Sequence, residues 1–166
     1  MKKLFLVLAM LVSAPAMAMD GSWFGLGAGY EHLSSGASAD GYSVTAEGGY
    51  WYLGNVAYGG HFKGAFFDRD RSGNGSDFRI YDLGAFWKAG TEAGLYGKLI
   101  AGLAFLNDSY DLRVGSGKSF YIGLGGGFLF PISESFQIGP EVLYRHLTAG
   151  NGADQVTVSA LVTYGF

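Results

Sequence analysis

The final stretch, Gln155 to Phe166, constrains this chain more than any other. It reads QVTVSALVTYGF, with Val156, Val158, Ala160, Val162, Tyr164 and Phe166 in one row and Gln155, Thr157, Ser159, Thr163 and Gly165 in the other. Leu161 is the single apolar residue in the polar row. A period of two sustained over a whole strand asks for hydrocarbon on one face and polar surroundings on the other. The length matches the roughly 9–11 residues with which a tilted strand crosses a bilayer. If this segment is a strand, the remaining strands are expected to close on it.

The same alternation recurs along the chain. It predicts strands over about Ser22–His32, Tyr42–Tyr52, Val56–Phe67, Asp77–Lys88, Leu95–Leu106, Ser119–Phe130 and Phe136–Leu147, each with an apolar row such as Tyr81, Leu83, Ala85 and Trp87. With the last segment that makes eight, an even number, as single-chain bacterial barrels have. The longer connections follow the first, third, fifth and seventh strands: Leu33–Gly41, Asp68–Ser76, Asn107–Lys118 and Thr148–Asp154. Alternating long and short connections is the pattern of extracellular loops and periplasmic turns, and it places both termini in the periplasm. Aromatic residues cluster at the strand ends. Trp23, Tyr50, Tyr52, Trp87, Phe130, Phe136, Tyr164 and Phe166 lie at one end, and Tyr30, Tyr42, Phe66, Phe67, Phe105, Phe120 and Tyr144 at the other. Two belts separated by aliphatic residues are what two membrane–water interfaces select for. A lipocalin would reverse the polarity, with its apolar face turned inward.

Composition agrees once the glycines are placed. Twenty-nine glycines in 166 residues would ordinarily suggest low complexity, but here they sit inside alternating rows. In a narrow barrel, glycine lets strands curve and leaves room at a crowded inner wall. The formal charge of −3 provides no basic stripe for nucleic acid, and the absence of cysteine excludes disulfides and thiolate chemistry. At the front, Lys2 and Lys3 precede the apolar run Leu4–Val12 and the small-x-small triplet Ala16-Met17-Ala18. That is the layout of a cleavable signal peptide, and the apolar run is too short for a spanning helix. Residues 1–18 are therefore expected to be removed, leaving one domain over 19–166.

Strand pattern, loop alternation and the closing Tyr164-Gly165-Phe166 resemble the small eight-stranded outer-membrane barrels: the OmpA transmembrane domain, OmpX and Ail. The resemblance implies an all-β, eight-stranded antiparallel up-and-down transmembrane barrel in the bacterial outer membrane. It implies outer-membrane lipids and lipopolysaccharide as surroundings, an assembly machinery that reads the C-terminal strand at Phe166, a monomer, and no cofactor or nucleic acid.

Three constellations could carry chemistry. Glu47, Asp82 and Glu141 point inward as acids, and His61, Lys63, Lys88, Lys98 and Arg145 point inward as bases. Eight strands enclose room for side chains but hardly for a wide channel, so these groups read as a salt-bridge network filling the barrel, with a gated ion path or proton site as the alternative. The segment Asp68-Arg69-Asp70-Arg71-Ser72-Gly73 follows the start of a calcium loop, but Arg79 stands where a bidentate Glu belongs and two arginines neutralise the site. It reads as a hydrated hairpin loop. Finally, His146, Thr148 and Asp154 resemble the site of the outer-membrane lipid A 3-O-deacylases, which use a His, a Ser two residues later and an acid near the next strand. Thr148 stands at the Ser position and Gln155 where a Glu might be expected, and a threonine is a poor nucleophile without dedicated activation. His32, Trp23 and Trp87 are expected at the interfaces.

The reading is a non-catalytic structural, envelope or surface-interaction barrel, with no catalytic, cofactor or metal residues assigned. The alternatives are a surface adhesin of the Ail kind and a lipid A-modifying acyl hydrolase.

Overall fold

The computed structural model describes residues 21–34, 38–52, 55–68, 78–91, 94–107, 117–148 and 152–166. The strands are β1 (Gly21–Ser34), β2 (Ser38–Tyr52), β3 (Val56–Asp68), β4 (Phe78–Gly90), β5 (Leu95–Asn107), β6 (Gly117–Phe128), β7 (Phe130–Pro131), β8 (Phe136–Leu147) and β9 (Ala153–Gly165). Every neighbouring pair is antiparallel, and the two-residue β7 prolongs β6 along β8. The ring closes because β9 pairs with β1, from Trp23 opposite Gly165 to Ser34 opposite Asp154. The result is a closed eight-stranded up-and-down barrel with no free edge. Both described termini, Gly21 and Phe166, lie at one end, here called the terminal end; the other is the far end.

Alternation decides the faces, as the strand pattern requires. Along β9, Gln155, Thr157, Leu161 and Thr163 are buried while Val156, Val158, Ala160, Val162 and Tyr164 are exposed. The barrel is thus inverted relative to a soluble protein. Its wall carries Leu26, Val44, Phe62, Leu83, Leu99, Ile122, Leu124 and Val142 outward, and its centre holds ions. An apolar exterior this extensive is the mark of a surface meant for lipid.

Several expectations are corrected. The strands run past the lipid-crossing length, so the connection expected over Leu33–Gly41 shrinks: β1 continues to Ser34 and β2 begins at Ser38. The polar residues there still take part in the ladder, because beyond a hydrocarbon layer a strand needs no apolar side chains. Trp23 and Phe67 do not join the belts; they are 2% and 1% exposed and point inward, as the parity of Trp23 with Gly25 and Gly27 dictates. The sixth strand, expected to run unbroken to Phe130, is interrupted at Leu129, whose side chain turns in to pack with Tyr96 and Leu161. That packing gives the apolar intruder Leu161 its partner. Tyr50, Tyr52, Trp87, Phe136, Tyr164 and Phe166 at the terminal end, and Tyr30, Tyr42, Phe105, Phe120 and Tyr144 at the far end, are exposed as expected.

Candidate functional site

All eight charged or ionisable residues expected in the lumen are there and buried. They fall into two clusters. Toward the far end, Lys63 donates to Glu31 at 2.6 Å and to Thr157 at 3.0 Å, Gln155 donates to Glu31 at 2.7 Å, and Arg145 joins Gln155 at 2.6 Å to Asp82 on the opposite wall. Below it, Glu47 accepts from Lys88 at 2.6 Å and from Lys98, and Lys98 reaches Glu141 at 3.0 Å. Tyr96 donates its hydroxyl to Glu141 at 2.8 Å. Lys88 also sits over the faces of Trp23 at 4.6 Å and Phe86 at 5.0 Å, so ring quadrupoles supplement its carboxylate. Between the clusters, His61 stands with its Nδ1 3.8 Å from Glu47, beyond hydrogen-bonding reach. Tyr121 lies beside it, its hydroxyl lodged over Gly84 and Gly102, where any Cβ would collide with it.

Above and below the ions the lumen turns apolar. Leu33, Phe67, Phe78, Leu106 and Leu147 are buried at the far end, with Phe67 and Phe78 stacked at 4.6 Å. Trp23, Trp51, Leu129 and Leu161 are buried at the terminal end. Buried apolar side chains therefore flank the charges toward both ends, joined at the terminal end by Gln137 and Thr163, a feature alternation alone does not reveal.

Glu31 was missed in the sequence. It is fully buried and anchors the far-end cluster. The signal was available: Glu31 shares the inward parity of Gly27 and Gly29, but it falls at the edge of the expected strand.

The outer face of the far end holds a second arrangement. His146 Nδ1 lies 2.8 Å from Asp154 Oδ1, and the Tyr144 hydroxyl donates to the same oxygen at 2.6 Å. Sequence reasoning paired the right His and acid, but Gln155 points into the lumen and plays no part, and the Thr148 hydroxyl is spent on the Phe120 carbonyl at 3.2 Å. Sequence reasoning missed that the arrangement occurs twice. His32 Nδ1 lies 2.7 Å from Asp40 Oδ1. The signal is an internal repeat, YEHLSSGASAD over 30–40 and YRHLTAGNGAD over 144–154. Because β9 pairs with β1, the two copies lie side by side on four contiguous strands. Of the calcium-like segment, residues 69–77 lie outside the described residues, so Asp70 and Ser72 are not placed. Among the described residues no group of His, Asp and Glu is arranged to hold a metal.

A closed antiparallel ring with a lipid-facing wall and an ionic centre defines the class: the fold is that of the small eight-stranded outer-membrane β-barrels. No sequence-family profile and no curated protein sequence matches the chain. Solved structures do. Neisserial surface protein A aligns over 89% of this chain and 98% of its own, with TM-score 0.68 at 21% identity. The attachment invasion locus protein Ail of Yersinia pestis aligns over 89% and 100%, with TM-score 0.56 at 18% identity. The outer membrane enzyme PagL aligns over 81% and 97%, with TM-score 0.52 at 10% identity. The fold therefore accommodates both an attachment protein and an enzyme, and activity has to be argued from this chain's own residues.

Proposed function

We propose that this chain is an integral outer-membrane barrel with a structural, envelope or surface-interaction role, acting from its outer surface and loops, with no transport through its lumen and no catalysis. The observation that supports this reading is the filled interior, in which two buried ion clusters are flanked by buried Phe67, Phe78 and Leu33 toward one end and Trp23, Trp51 and Leu129 toward the other. In this reading residues 1–18 direct export and are removed, the terminal end faces the periplasm, and the far end faces outside. Outer-membrane lipids and lipopolysaccharide cover the wall, the assembly machinery engages the strand ending at Phe166, and each barrel is complete as a single chain. Planar-bilayer recording of the refolded protein is expected to show no steady conductance; an open channel would overturn the reading.

A second reading, an acyl hydrolase at His146 with Asp154, is favoured by one observation: the imidazole is already held by a carboxylate at 2.8 Å, as a general base requires. Against it, Thr148 is turned to the Phe120 carbonyl. Incubation with lipid A decides between the two readings. Release of hydroxy fatty acid that is lost in His146→Ala establishes the enzyme, and no release is expected.

A further inference from the structure

The lipid-facing wall is not evenly filled. At the terminal end a groove of about 350 Å³ crosses the β9–β1 seam, lined by apolar atoms alone. Strand register explains its shape. Phe136, Tyr164 and Phe24 stand in one outward row, and one step further from the rim come Ile138, Val162 and Leu26. Val162 is short where its neighbours are long. The rings of Phe136 and Tyr164, 4.8 Å apart, therefore form a lip at the rim with a hollow behind it. The next row holds Pro140, Ala160 and Ala28, so the wall stays low toward the middle of the barrel. The volume falls within the ~300–1,000 Å³ of small-molecule sites, but a lining without polar atoms suits hydrocarbon only.

The rim beside this groove carries one sign of charge. The turn over 132–135 leads into Phe136, accepts the Gly165 N–H at the Ser135 carbonyl at 2.8 Å, and exposes Glu134. With residues 1–18 removed, the other segments at this end, 19–20, 53–55 and 91–94, add Asp20 and Glu92 and no Lys, Arg or His. Lys88 and Lys98, the nearest cations along the strands, are turned into the lumen and held by Glu47. Such a rim repels a lipid of net negative charge and favours one that brings its own cation.

We propose that the groove binds one acyl chain of an aminophospholipid, a zwitterionic lipid whose headgroup ends in a primary ammonium, and that Glu134 holds this ammonium. The site rests on the membrane reading above and gives one lipid of the surrounding layer a fixed place. Lipid tails elsewhere are as apolar as the wall, so selection comes from close packing in a shaped hollow and from the polar contact at its mouth. Chain and headgroup are chosen by different residues. Val162 leaves the room for the chain. The Glu134 carboxylate accepts from the three N–H donors of a primary ammonium, which a trimethylated ammonium lacks and a glycerol headgroup does not carry.

The test uses the mature chain refolded into phosphatidylcholine vesicles containing phosphatidylethanolamine or phosphatidylglycerol with the same photoactivatable acyl chain. Mass spectrometry locates the label. With phosphatidylethanolamine, label on 22–28 and 136–164 is expected to exceed that on β4 and β5, diametrically opposite in the ring, roughly fivefold. It is expected to exceed the phosphatidylglycerol label at the same place roughly threefold, the scale of an exposed ion pair. Val162→Phe, which fills the hollow without changing face, is expected to remove most of the excess. Glu134→Lys, in the turn, is expected to keep the label on the groove and reverse the headgroup preference. Protease resistance in vesicles shows that each variant is inserted; a parent chain that fails to insert overturns the membrane reading itself, separately from the site. Label spread evenly around the wall would assign the groove to bulk lipid and overturn the proposal. So would label indifferent to headgroup, or an excess that survives Val162→Phe.

Discussion

The lumen and the far-end rim both hold charged pairs, yet the two regions put them to opposite use. Inside, the Glu47 carboxylate holds Lys88 and Lys98 with no solvent contact, and three of the chain's strands meet through those bonds. On the rim, His146 and Asp154 are 47% and 51% exposed, close together in sequence, and bridge only two strands that already pair through their backbones. Losing one partner of a buried pair strands the other in a medium that cannot solvate it, whereas water replaces a lost partner at the surface. The comparison teaches that charge in this barrel does structural work in proportion to its burial and to the number of strands it spans.

The sharpest way to break that contrast is Glu47→Ala. It leaves Lys88 and Lys98 to share Glu141, and a loss of about 3–5 kcal/mol is expected, read by urea unfolding in vesicles through tryptophan fluorescence. If the loss were negligible, the lumen network would be ornamental and the contrast would fail. A backbone test comes next. Gly139 packs so close to the Phe128 carbonyl that a Cβ would collide with it, so Gly139→Ala is expected to cost about 1–3 kcal/mol in the same measurement.

A coupled pair sharpens the contrast further. Lys63→Met alone leaves Glu31 buried with only Gln155 and Thr157 as donors. Adding Glu31→Gln removes the orphaned charge and is expected to recover much of the loss, roughly 1–3 kcal/mol of coupling in a double-mutant cycle. The smallest effect belongs to the rim, where His146→Ala is expected to leave the unfolding midpoint unchanged within error. A marked fall there would show that the exposed repeats carry stability after all.

Much of the fold was legible because it is written residue by residue. Alternation put eight of the lumen's charged or ionisable residues on the correct face, missing Glu31, and gave eight strands that the structure extends at their rims. It erred where the pattern lacks contrast. At Leu33–Gly41 the rim strands lie beyond lipid and carry polar side chains on their outer row, so they resembled a loop. At Trp23 an aromatic near a strand end looked like a belt residue although its parity was inward. Of the candidate site, the His146 and Asp154 pairing came from the resemblance to the lipid A 3-O-deacylases, while the twin at His32 and Asp40 was readable only by comparing 30–40 with 144–154.

Periodicity by itself determined which side chains face lipid and which face the axis, because that choice is local and flips with every residue. Only the closed tertiary structure decided who meets whom: Arg145 with Asp82, Gln155 with Glu31, and two copies of one motif placed side by side by the β9–β1 seam. Those partners are set by the stagger between strands and by the point at which the ring closes, and both are properties of the whole circumference that no single strand encodes.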